Sequence, residues 1–157
     1  MDKIHITVDG YNKLQEELRI LKEVERPAVV EAIAAARSLG DLSENAEYHS
    51  AKDKQGMIEA RISALESKMS IAEVIDPKTI SSDIIRFGAT VTLCDEDNGS
   101  EQKIQIVGSD ESDLKKGLIP VTSPVAVALV GKKKDEYIEV STPGGTRCYT
   151  VMNVEYI

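Results

Sequence analysis

The sequence predicts an α+β fold: a long antiparallel αα-hairpin of coiled-coil character, then a small antiparallel β domain with one short helix. Three observations predict it. Aliphatic residues recur at heptad spacing through the N-terminal half, the pattern is interrupted only briefly near Gly40, and period-2 alternation takes over after the segment IDPKTISSD, residues 75–83.

The first helix is expected from Tyr11 to about Leu39. Leu14, Leu18, Leu21, Ala28, Ala32 and Ala35 follow a 4-3-4-3 register broken only at Glu25. Thr7 or Asp9 can cap its start, and Gly40 stands where a helix often ends in a left-handed residue. Pro27 is expected to bend or split the helix, because the residue before a proline avoids the helical region. On the unbroken register the stripe thins to alanines toward the far end.

The second helix is expected from about Leu42 to Val74, with Ala51, Ile58, Ile62, Leu65, Met69 and Ala72 on a matching register. So short a connection around Gly40 cannot reach a parallel partner, so the two helices run antiparallel. About 30 helical residues would project on the order of 45 Å.

Pro77 and the Ser81-Ser82 pair end the heptads, which puts the domain division after Asp76: 1–76 helical, 77–157 β. Downstream, residues 89–93 and 103–107 read as strands flanking a turn at Asp97-Asn98-Gly99, and 137–140 and 149–154 flank Pro143-Gly144-Gly145. Ser123-Pro124 reads as an N-cap followed by proline at the first helical position, with Gly131 ending a short helix.

Composition narrows the function. The formal charge is −8, distributed as 10 basic against 15 acidic residues up to Asp76 and 9 against 12 beyond it, so neither half is a basic tail. Autonomous nucleic-acid binding is not expected from such a chain. Cys94 and Cys148 lack CxxC spacing and read as reduced core thiols. No apolar run suggests a signal peptide or a membrane span, so a cytoplasmic location is expected. The GxxxxGK[ST], GxGxxG and GxSxG patterns are absent, which removes the common nucleotide-binding and hydrolase signatures.

The stretch GDLSENAEYH, residues 40–49, places Asp41, Glu44 and Glu47 at the turn between the helices. Asp41 and Glu44 have the spacing of a capping box, and acids in a first turn complement the helix dipole. Clustered like charges repel, however, so stability alone does not call for three of them. Two or three carboxylates are half of a Mg²⁺ site, because that ion needs octahedral oxygen coordination that a partner would have to complete. Arg37 and Lys52 stand near the tip, either as salt-bridged surface residues or as contacts to RNA phosphates. His49 lacks a paired ligand and reads as a solvated surface residue, while Tyr48 sits on the packing register.

Gly40-Asp41-Leu42-x-Glu44-Asn45-Ala46-Glu47-Tyr48-His49, with Gln55-Gly56 after it, resembles the tip signature of bacterial Gre-type transcript-cleavage factors, the GreA branch in particular. Phe87-Gly88-Ala89-Thr90-Val91, Ile119 with Ser123-Pro124, Gly131-Lys132 and Thr142-Pro143-Gly144-Gly145 resemble that family's C-terminal domain in the same order. The resemblance implies a coiled coil that enters the secondary channel of a backtracked RNA polymerase and an FKBP-like β domain that docks at its rim. Asp41 and Glu44 match the family's tip acids, and in that picture they help hold a Mg²⁺ of the polymerase's active site while the polymerase cleaves the nascent RNA 3′ segment. Ser123 and Pro124 match the family's polymerase-contacting loop. The resemblance thus implies an activator of another enzyme rather than an enzyme. A Gre-fold inhibitor that fills the channel without stimulating cleavage is the alternative. Proline isomerisation by the FKBP-like domain is a third, for which one Phe and no Trp leave little aromatic material.

Overall fold

The computed structural model describes residues 3–40 and 44–157. They form two compact units: Tyr11–Ala72, and a second in which Lys3–Gly10 group with Glu73–Ile157.

In the helical unit α1 (Val8–Ile20) runs through a π-helical turn, Leu21–Glu25, into α2 (Arg26–Arg37), and α3 (Ala46–Ser70) packs along them as the second arm. The π turn follows from Pro27. Arg26 N–H donates to the carbonyl of Leu21, five residues back, and the next residue has no N–H to give, so the ladder widens where it would otherwise be broken.

That widened turn absorbs one residue and moves the apolar stripe. Leu14 and Leu21 are buried as heptad spacing requires, but the stripe continues through Val29, Ile33 and Ala36, one position later than an unbroken register. Ala28, Ala32 and Ala35 are therefore exposed, and the upper hairpin packs on Val and Ile rather than on alanine alone. On α3 no such slip occurs: Ile58, Ile62 and Leu65 are buried, with Ala51 and Met69 half-buried. Helix α3 stops at Ser70, short of Val74, because Ala72–Ile75 form strand β2.

Ion pairs across the hairpin set its register. Arg26 makes paired bonds to Glu59 at 2.8 and 2.9 Å, Arg61 does the same to Glu17 at 2.8 and 2.9 Å, and Lys22 reaches Glu66 at 3.4 Å. These partners are solvated, so each pair contributes little stability, but a two-pronged guanidinium–carboxylate contact tolerates little sliding. The Arg61 guanidinium holds the Glu17 carboxyl below its usual range, chiefly by hydrogen bonding.

The second unit holds a two-stranded sheet of β1 (Ile4–Thr7) with β2, and a five-stranded sheet in the order β5-β4-β3-β7-β6. Its strands are β3 (Thr90–Asp95), β4 (Glu101–Val107), β5 (Leu118–Pro120), β6 (Tyr137–Thr142) and β7 (Gly145–Glu155). All pairings in the larger sheet are antiparallel except β5, which lies parallel to β4 and makes the sheet mixed. Helix α4 (Pro124–Leu129) packs Ala126 and Leu129 into an aliphatic core with Val91, Leu93, Ile106 and Val151. The Tyr156 hydroxyl donates to Ile84 O at 2.5 Å and accepts from Arg86 N at 3.0 Å, pinning the chain's last residues to the segment before β3.

Strand β1 is held by one carboxylate. Glu111 accepts from Thr7 N at 3.0 Å, from the Thr7 hydroxyl, and from Gly108 N at 2.8 Å, while the Thr7 hydroxyl in turn accepts from Gly10 N as the cap of α1. Thr7 is only 4 % exposed. Glu111→Ala strands two backbone donors, one of them on this buried residue, and is expected to cost about 1–3 kcal/mol. A lowered urea midpoint, with lost amide-exchange protection at Thr7 and Gly108, checks it.

Among the described residues, no helix is long and apolar enough to cross a membrane.

Candidate functional site

The turn between α2 and α3 is where the tip acids fall. Helix α2 closes with Ser38 N donating to Ala35 O at 3.2 Å and Leu39 N to Ala36 O at 3.1 Å. Gly40 follows with φ +128°, a conformation side-chain-bearing residues rarely adopt. Asp41, Leu42 and Ser43 lie outside the described residues.

Asn45 caps α3. Its side-chain oxygen accepts from Tyr48 N at 3.0 Å, and its amide nitrogen donates back across the turn to Ala36 O at 2.5 Å. One side chain therefore satisfies an orphan donor of α3 and adds a second bond to the Ala36 carbonyl of α2, which already accepts from Leu39 N. Asn45→Ala is expected to cost about 1–2 kcal/mol and to fray the first turn of α3, read as faster amide exchange at Tyr48.

Because Asn45 takes the cap, Glu44 does not. Glu44 is exposed and its carboxylate has no partner among the described residues. Glu47 is exposed in the first turn of α3, where its charge complements the helix dipole. Among the described residues no cluster of three His, Cys, Asp or Glu side chains could hold a metal. The exposed carboxylate of Glu44 is a hard oxygen donor of the kind Mg²⁺ takes.

The cations near the tip have local contacts. The Arg37 guanidinium sits 5.8 Å from the centroid of the half-buried Tyr48 ring, a cation–π contact linking the end of α2 to the start of α3. Tyr48 also meets the His49 ring edge-on at 5.6 Å. Lys52 donates to Gln55 Oε1 at 3.3 Å and stays exposed.

In the second unit Ser123 is the cap of α4, its hydroxyl accepting from Ala126 N at 3.2 Å, and Pro124 opens the helix. Pro124 and, one turn on, Val127 are exposed, giving α4 an apolar outer face. The sequence reading selected Ser123 and Pro124 but passed over Val127 and Asn45. An asparagine directly before a helix was the available signal for Asn45.

Two family models cover nearly the whole chain. Residues 4–74 match "Transcription elongation factor, N-terminal", and residues 80–156 match "Transcription elongation factor, GreA/GreB, C-term". The chain belongs to the GreA/GreB family of transcription elongation factors. It is 53 % identical over 157 residues to transcription elongation factor GreA of Phenylobacterium zucineum and 54 % identical to that of Paracoccus denitrificans, with all of both chains covered in each case. Among solved structures, GreA factor homolog 1 of Thermus thermophilus is 25 % identical, with 98 % of this chain and 99 % of that one covered and a TM-score of 0.44. The family stimulates transcript cleavage by RNA polymerase and is not itself the catalyst. Relatives named as elongation factors do not favour the inhibitor alternative.

Proposed function

We propose that this chain binds RNA polymerase in the cytoplasm and lends Asp41 and Glu44 to a Mg²⁺ at the polymerase's active site, where the 3′ segment of backtracked RNA is cut. The observation carrying this reading is the freedom of Glu44: the cap is made by Asn45, and the carboxylate is left exposed at the turn of a two-arm hairpin. Helix α3 alone has 25 residues, roughly 37 Å of rise, which is enough to reach into a deep channel from its mouth.

A Mg²⁺ held with the help of Asp41 and Glu44 would supply a water of lowered pKa and charge stabilisation for the leaving oxygen. The chain's own part is positional. Glu44 Oε and the Asp41 carboxylate would add negative oxygens to the shell of such an ion, and a carboxylate oxygen would accept a hydrogen bond from the attacking water. Arg37, held over Tyr48 at the end of α2, and Lys52, on α3, would contact the phosphates of the extruded RNA. The same reading divides labour after Asp76, with residues 1–76 delivering the acids and 77–157 docking through Ser123 and Pro124, where exposed Pro124 and Val127 offer an apolar contact.

A halted, backtracked polymerase with 3′-end-mapped RNA tests this. Adding the protein and Mg²⁺ shortens the transcript from its 3′ end and restores elongation when nucleotides follow. Slowed nucleotide addition with no cleavage product would replace the proposal with channel occupancy alone.

A further inference from the structure

Lys103, Lys115 and Lys116 line one groove of about 420 Å³ on the second unit, against a wall of Ile104, Ile119 and Leu114. In a chain with 27 acids and 19 basic residues, no acidic side chain lines this groove. None of the three ammonium groups has an ion-pair partner among the described residues. Asp113, two residues before Lys115, turns its carboxylate to the backbone N–H of Lys115 at 3.1 Å. Three unneutralised like charges in one place raise the energy of the free protein and favour an anionic occupant.

The backbone fixes this arrangement. Asp113 and Leu118 exchange N–H to carbonyl bonds at 2.9 and 3.0 Å, closing the turn that carries Lys115 and Lys116. Gly117 has φ +75°, and a Cβ there would meet the carbonyl oxygen of Lys103 at 2.7 Å, so only glycine lets the turn lie this close to β4. Gln105 N donates to Gly117 O at 2.8 Å and clamps it. Beside the lysines, Leu114 is 78 % exposed, a large apolar side chain without local cover.

We infer that this groove is a docking site for an acidic protein segment bearing aliphatic side chains. Charge complementarity sets the sign of the occupant, and Leu114 with the isoleucine wall sets its apolar character. Single-stranded nucleic acid shares the charge, but binding there relies on aromatic stacking, and no aromatic or arginine side chain lines the groove. The inference is independent of the tip acids and stands or falls apart from them.

The test uses the full-length ¹⁵N-labelled chain at low ionic strength. It is titrated with a soluble amphipathic peptide of glutamate and leucine, with its lysine-and-leucine counterpart, and with an oligothymidylate of equal charge. The acidic peptide is expected to shift the amides of Lys103 and of residues 114–117. Lys103→Glu with Lys115→Glu and Lys116→Glu weakens it by about tenfold or more, and added salt weakens it in the wild type. Lys132→Glu with Lys133→Glu and Lys134→Glu, an equal charge change in a run followed by Asp135 and Glu136, leaves affinity within about twofold. Peptide shifts confined to other residues, oligothymidylate binding at the groove as tightly as the peptide, or equal losses in the two triple variants would overturn the inference. The mapping on the wild-type chain decides it even if a variant misfolds.

Discussion

Replacing Asp41 and Glu44 together by alanine is expected to reduce stimulated 3′-end cleavage by about 100-fold or more while leaving polymerase affinity within about twofold. The split follows from where the acids act. On the proposed role their oxygens are needed only while the cleavage centre is assembled, so they would contribute to the transition state and little to docking, which the proposal gives to the Ser123–Pro124 face. Glu44→Gln alone keeps the size of the side chain but removes its charge and replaces one accepting oxygen with an N–H donor. Losing most of the activity with that variant identifies the charged, acceptor-only carboxylate, rather than side-chain bulk, as the requirement. The polymerase's own slow cleavage without the factor is unchanged in every case.

The second large effect tests the π turn. Val29→Asp puts a charge at a position 3 % exposed between the arms and is expected to destabilise the hairpin by about 3 kcal/mol or more. Ala28→Asp, one residue earlier and exposed, is expected to cost less than about 1 kcal/mol. An unbroken heptad register makes the opposite prediction, because it buries Ala28 and exposes Val29. Urea unfolding followed by helical circular dichroism separates the two, and crossed costs would show that the register does not slip at Leu21–Glu25.

That slip marks how far the sequence can be read. The hairpin itself was legible because Leu14, Leu21, Ile58, Ile62 and Leu65 repeat at helical spacing and are buried in the structure. The shift after Leu21 was not, since a periodicity template assumes a constant number of residues per turn. Its only traces were the break at Glu25 and the proline two residues on, which pointed to a bend rather than to a wider turn. Strands β3, β4, β6 and β7 were legible from alternation and from the turns that join them in pairs. Strands β1, β2 and β5 were not: each has four residues or fewer, and β1 pairs with β2, more than 60 residues later in the sequence, a pairing local pattern cannot reveal. At the tip, the cluster of acids stood out from the sequence itself, spacing alone left capping and chemistry open, and only the resemblance implied the role of Asp41 and Glu44. Asn45 occupies the cap with its own side chain, which removes capping as the role of Glu44 and leaves its chemistry a proposal.

The measurement bearing most directly on the shared-ion claim is the Mg²⁺ dependence of cleavage by one polymerase with the wild-type factor and with the Asp41→Ala, Glu44→Ala double variant. Shared coordination predicts that the wild-type factor lowers the Mg²⁺ concentration for half-maximal cleavage and that the double variant returns it to the value for polymerase alone. Identical half-saturation for wild type and variant, with only the maximal rate changed, would contradict it.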